Sequence, residues 1–208
     1  MLDLSLFPLF LAAGLALALS PGPAMAFTLA TSASRGPRAG LGAVAGIITG
    51  GLIWTLAAAA GLAALIATSE HALTVVRYGG GVYLVWLAIR TLRALDAPMQ
   101  AQSARDALHG FRQGLMTNLL NPKIGLFFLA LLPQFTNPEI GAVWLQMLTL
   151  GLIFFAMGTI VLTIVALAAG AARDRLARSA ASRRVLNGLA ATAFGGLGLR
   201  LLFSGNTA

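Results

Sequence analysis

Charge is absent from long stretches of this chain. No Asp, Glu, Lys or Arg falls between Asp3 and Arg35, between Arg38 and Glu70, or between Glu139 and Arg173. A helix that crosses a hydrocarbon core of about 30 Å needs about 20 mostly apolar residues, so each run predicts a membrane span. A fourth run, Gln113 to Pro138, is interrupted only by Lys123, and two shorter runs cover Tyr78 to Ala94 and Val185 to Phe203. Six spans result. The Tyr78 segment is bounded closely by Arg77, Arg90 and Arg93, whose long stems can snorkel to the interfaces. The first run lacks a basic leader, begins at Asp3 and is too long for a signal-peptide core, so it reads as a span.

Composition agrees with the pattern. Hydrophobic residues make up 58% and charged residues 10% of the 208, against about 45–50% and about 25% in soluble domains. The excess must face lipid, and no segment large enough for a soluble domain remains. Cysteine is absent, which excludes disulfides and thiolate chemistry.

The net charge of +8 acquires its meaning from where the basic residues lie. Arg35 and Arg38 follow the first span, Arg90, Arg93, Arg105 and Arg112 surround the link from the third to the fourth, and Arg173, Arg175, Arg178, Arg183 and Arg184 separate the fifth from the sixth. Arg77 and Arg200 fall at the other side, and Lys123 is left inside a span. This is the positive-inside pattern. It predicts cytoplasmic odd-numbered loops and both termini on the outer face, which requires an even number of spans. Topology and attraction to anionic membrane lipid account for the charge, and nucleic acid is not an expected partner.

The two halves resemble each other. Spans one and four each carry a proline motif, spans two and five are rich in glycine and threonine, and spans three and six hold glycine clusters at Gly79 to Gly81 and at Gly195, Gly196 and Gly198. Three spans per half make the halves inverted with respect to one another, as in many secondary transporters. The expected fold is an all-α membrane protein of six transmembrane helices in two inverted three-helix repeats, the first helix of each broken by proline. It forms one transmembrane domain over 1–208, with a first repeat at 1–95, a cytoplasmic linker at 96–111 and a second repeat at 112–208.

The first proline motif is Ser20, Pro21, Gly22, Pro23. Two prolines remove backbone donors and the glycine admits non-helical angles, so the helix should unwind there. Unwound backbone at membrane depth must be buried in protein or line a wet cavity, which makes the motif either a packed kink or a binding element. The second is Asn118, then Asn121, Pro122, Lys123. Counted from Gln113, Lys123 lies roughly 15 Å into the span, about half the hydrocarbon thickness. A lysine at that depth costs about 2.5–3.5 kcal/mol on insertion scales. It needs partners, either carbonyls freed by Pro122 or a substrate carboxylate. In span two, Gly42, Gly46 and Gly50 form a double GxxxG series that admits close approach of another helix, within the bundle or in a dimer.

All six acidic residues, Asp3, Glu70, Asp96, Asp106, Glu139 and Asp174, lie near segment ends or in loops. Neither HExxH nor GxSxG occurs, and His71 and His109 sit in loops or at helix edges. Catalytic residues, metal ligands and cofactors are not expected, nor is enzymatic activity.

These motifs together, SPGP in the first span, the RGPRAG turn before a glycine-rich second span, YLVWLAIR in the third, and NPK followed by Phe127, Phe128 and Pro133 to Phe135, resemble the lysine exporter (LysE) family in its homoserine and threonine exporter branch. The resemblance covers nearly the whole chain. It implies a bacterial inner-membrane, multi-pass, homo-oligomeric exporter of amino acids or similar metabolites, driven by the proton gradient. It carries the family's motifs onto Pro21, Gly22 and Pro23 and onto Asn121, Pro122 and Lys123. Related members often have an acidic residue in the fifth span, whereas the stretch near Gly158 and Thr159 has none. A buried cationic side chain would want a counter-charge, so neutral amino acids fit better. The expected mechanism is alternating access around a midplane site where spans one and four break. There Lys123 and exposed amides would meet the substrate carboxylate, while carbonyls, Asn118 and Asn121 accept its ammonium. An uncoupled channel and a membrane assembly subunit are the alternatives.

Overall fold

A computed structural model describes residues 2–61, 70–93 and 104–177, together with single helical positions between Val185 and Phe203. The described residues contain helices and no strand. Helix α1 (Phe7–Leu19) and helix α2 (Pro23–Arg35) are bent by 46° across Ser20, Pro21 and Gly22. Gly36, with φ of 92°, makes the tight turn into α3 (Pro37–Ala59), an angle that only glycine adopts without strain. Then come α4 (Glu70–Arg93), α5 (Ala104–Leu119) and a short α6 (Pro122–Leu126). A π-helical turn (Phe127–Leu131) and two 3-10 turns (Leu132–Phe135 and Pro138–Ile140) lead into α7 (Val143–Ala177).

Among the described residues two helices, α3 and α7 over Val143–Ala172, are long and apolar enough to cross a membrane, and α1 with α2 make a third span if the bent pair counts as one. At 1.5 Å per residue, α3 rises about 35 Å, enough for a core of about 30 Å. The chain is a membrane protein, all-helical in its described residues. Helix α4 covers the third expected segment. Of the sixth, Val185 to Phe203, the described positions are helical. Residues 96–103, Arg178, Arg183, Arg184, Gly198 and Arg200 lie outside the described residues, as do the side chains of Glu70, His71, Arg77 and Arg90.

The fourth segment differs from its sequence reading. Its helix, described over Ala104–Leu119, is already formed well before Gln113. The cause is packing against α3. A side chain on Gly46 would strike the carbonyl of Phe111, and one on Gly114 would strike the carbonyl of Ala43, with Gly42 and Gly110 repeating the contact one turn away. The GxxxG series of α3 therefore meets a matching series on α5, and the backbones touch. In lipid, such close packing rather than hydrophobic burial drives helix association.

Helix α7 closes the bundle against α1, α2 and α3. The ring of Phe155 occupies the place of a Gly51 side chain, Thr55 fills that of Gly151, and the Ser32 hydroxyl donates to the Ala166 carbonyl. Pro37 sits against Gly170 and Ala107 against Gly42, so the starts of α3 and α5 and the end of α7 share one end of the bundle. Arg35, Arg38, Arg105, Arg112, Arg173 and Arg175 belong to these segments. At the other end buried Gln146 accepts from the Asn137 amide (3.0 Å) and donates to the Asn137 and Gly141 carbonyls. Asn137 in turn donates to the Asp3 carboxylate at 3.0 Å.

Two apolar clusters divide the interior. Phe10, Phe127, Phe128, Phe135, Phe154 and Phe155 dominate the one toward the Asp3 end. Phe27, Val44, Ile47, Leu84, Leu162 and Ala166 form the one toward the arginine-bearing end. Between them, near the midpoints of α3 and α7, lies the only place where both helix breaks come together among the described residues.

Candidate functional site

Helix α1 ends because its next donors are missing. Its last helical bond runs from the Ser20 amide to the Ala16 carbonyl, at 2.9 Å. The Leu17 carbonyl would take the amide of residue 21, but Pro21 has none. Lys123 supplies the donor instead, its Nζ lying 2.8 Å from the Leu17 oxygen and 2.9 Å from the Ser20 oxygen. The ammonium also sits at the negative end of the α1 dipole. Two charge-assisted hydrogen bonds, worth about 1.5–3 kcal/mol each, offset the insertion cost of about 2.5–3.5 kcal/mol.

The second break positions that lysine. Asn121, in an extended conformation, caps α6 by accepting the Lys123 amide on its side-chain oxygen (3.1 Å), and Pro122 begins the helix with its preset φ. Lys123 is thereby carried in the first turn of α6 and reaches across to the other half of the molecule. Its ammonium has three donors, of which the two carbonyls use two.

A cavity of about 60 Å³ opens beside this contact. Ser20, Gly22, Asn118, Asn121 and Lys123 supply its polar lining, while Leu17, Ile47, Ile48, Phe154, Phe155 and Leu162 make the remainder apolar. Ala24 and Met25 also line it, and both amides lie ahead of the first hydrogen bond of α2, from Ala26 to Gly22. With no N–H at Pro23 and no side-chain cap at Gly22, that helix end presents unsatisfied donors. Asn118, on α5, lines the same cavity. Its amide nitrogen donates to the Ile47 carbonyl at 2.6 Å, and its side-chain oxygen, fully buried, has no hydrogen-bond partner among the described residues. The lining thus brings together unsatisfied donors and a residue with a vacant acceptor, with no carboxylate among its residues.

Comparison with known proteins identifies the lineage. The family profile described as LysE type translocator matches residues 15–205. The chain belongs to the LysE family. It is thereby a translocator and not an enzyme. This LysE-family chain is 31% identical over 195 residues to the threonine efflux protein of Salmonella typhi, covering 89% of this chain and 92% of that one. It is 34% identical over 149 residues to the homoserine/homoserine lactone efflux protein of the same organism, covering 71% and 72%. An uncharacterized membrane protein of Vibrio cholerae is 32% identical over 164 residues, covering 77% and 79%. No solved structure matches.

Of the residues that the sequence singles out in this LysE-family member, Ser20, Gly22, Asn118, Asn121 and Lys123 come together at the cavity. Pro21, Pro23 and Pro122 act through the backbone, ending one helix and starting two others. The expectation that Pro122 frees the carbonyls capped by Lys123 is corrected: the carbonyls belong to Leu17 and Ser20, in the other half. Asn121 spends its oxygen on the cap. Sequence reasoning expected exposed amides at a broken helix without naming Ala24 and Met25, and it missed the wall formed by Phe154, Phe155, Gly158 and Leu162. The spacing of those four on one helical face of α7 was the available signal.

Proposed function

We propose that this chain exports neutral amino acids across the bacterial inner membrane, coupled to the proton gradient, by alternating access around the cavity between the two helix breaks. The observation that carries the reading is the buried, unpartnered oxygen of Asn118, a residue of the cavity lining that also holds the Lys123 ammonium. An unsatisfied buried acceptor costs about 1–3 kcal/mol, a cost that an arriving ammonium removes. The zwitterion's carboxylate meets the third donor of Lys123 and the Ala24 and Met25 amides at the positive end of the α2 dipole. The names of the efflux relatives support amino acids as cargo. A site without a carboxylate favours neutral side chains over cationic ones.

The basic end of the bundle faces the cytoplasm and Asp3 the outside, in accord with the positive-inside rule. The two halves rock as inverted repeats about the Lys123 contact. Lys123 is the only titratable side chain lining the cavity among the described residues, so a counter-transported proton and a substrate carboxylate meet the same group. Inverted membrane vesicles, in which export becomes uptake, test the reading with a panel of labelled amino acids. Gradient-dependent accumulation of a neutral amino acid is expected. Flux that only dissipates a substrate gradient would make the protein a pore, and no flux of any amino acid would remove the assignment.

A further inference from the structure

Several glycines of this fold are packing positions. At Gly46, Gly51, Gly114 and Gly151 a side chain would collide with a neighbouring helix, so these positions exist to let helices touch. Gly158 is different. A Cβ built there meets nothing within 4 Å among the described residues, although Phe154, Phe155 and Leu162 flank it on the same face of α7. Glycine in a helix interior loses stability relative to alanine, and no helix contact among the described residues accounts for it here. What the missing side chain leaves is part of the cavity, since Gly158 belongs to its lining.

We propose that Gly158 sets the upper size of the substrate side chain, restricting transport to amino acids with small, uncharged side chains. The inference rests on the reading of the cavity as the amino-acid site. A space of about 60 Å³ holds about four to six water-sized groups, the scale of a small amino acid. The polar groups that receive the ammonium and carboxylate lie on α2, α5 and α6, whereas α7 contributes only Phe154, Phe155, Gly158 and Leu162 to the lining. The side chain is therefore directed at the gap between Phe154 and Leu162. Chemistry at that wall is uniformly apolar, so it selects by volume and not by hydrogen bonding.

Inverted vesicles carrying the unsubstituted protein, Gly158→Ala, Gly158→Val and Gly158→Leu, assayed with labelled glycine, alanine, threonine, valine and leucine, test this. The expected result is a falling size limit. Gly158→Ala lowers accumulation of the largest accepted substrate about tenfold relative to the smallest, and Gly158→Leu abolishes accumulation of all. Thermal unfolding of the purified variants in detergent separates selectivity from folding, with Gly158→Ala expected at or above the unsubstituted midpoint. A substrate profile that stays the same through the series would overturn the size limit while leaving export intact. A Gly158→Ala protein that unfolds earlier and loses all substrates equally would assign Gly158 to packing. Absence of accumulation by the unsubstituted protein would overturn the export reading and the size limit together.

Discussion

The ammonium of Lys123 lies 2.8 Å from the carbonyl of Leu17, a carbonyl left without a helical donor because residue 21 is proline. The two proline motifs are thus one device. Pro21 vacates an acceptor in the first half, Pro122 and Asn121 start the helix that carries the lysine, and the contact joins the halves at the middle of the bundle.

Pro21→Ala restores the missing amide and lets Leu17 pair within its own helix. The lysine then loses an acceptor worth about 1.5–3 kcal/mol, and the break straightens. Export should fall about tenfold or more with the protein still inserted, as read by vesicle uptake normalised to membrane content. Undiminished uptake would show that the break is a packed kink and nothing more.

Asn118→Ala removes the vacant acceptor and also leaves the Ile47 carbonyl without its donor. Substrate binding should weaken by about 1–3 kcal/mol, or roughly ten- to a hundredfold. The shift of the unfolding midpoint on adding a transported amino acid to purified protein measures this directly, and a ligand-induced shift equal to that of the unsubstituted protein would exclude Asn118 from the site.

Gly46→Val forces apart two backbones that now touch at Phe111. Overpacking typically costs about 1–3 kcal/mol, and a displaced backbone has no flexible side chain to yield. Folded protein recovered in detergent should drop sharply, while Gly158→Ala, with open space at its Cβ, should not follow.

The Ser5 hydroxyl and the Asn137 amide hold the exposed Asp3 carboxyl below its ordinary value of 3.8. A carboxyl depressed on folding contributes stability that is complete above its unfolded value and disappears as pH falls through the folded one. The tie between the N-terminus and the loop before α7 should therefore hold at neutral pH and weaken below about pH 4. Unfolding midpoints measured from pH 7 to 3 should show a smaller acid loss for Asp3→Asn than for the unsubstituted protein.

Much of this architecture can be read from residue order alone. Charge-free runs locate α1 to α3 and α7, and the motifs from Ser20 to Pro23 and from Asn118 to Lys123 mark both breaks, because proline and glycine act locally through backbone donors and angles. The partner of Lys123 was not legible, since Leu17 and Ser20 are distant in sequence and offer only backbone atoms, which carry no residue-type signal. The helical turns ahead of Gln113 were hidden for a similar reason. Polar residues at Arg105, Asp106 and Arg112 mask a face whose glycines dock on α3. Gly158 carries no local signal in the sequence, and what sets it apart is open space at its Cβ among the described residues combined with a place in the cavity lining.

Lys123→Met tests the central claim most directly. Methionine matches much of the length of the lysine stem but donates no hydrogen bond, so it removes both the cap on Leu17 and the partner for a carboxylate. In inverted vesicles with an imposed proton gradient, accumulation of neutral amino acids should disappear while the protein remains in the membrane. Lys123→Arg, which keeps the charge but does not release a proton, should retain substrate binding and lose gradient dependence. Undiminished, gradient-driven accumulation by the Lys123→Met protein would contradict the account.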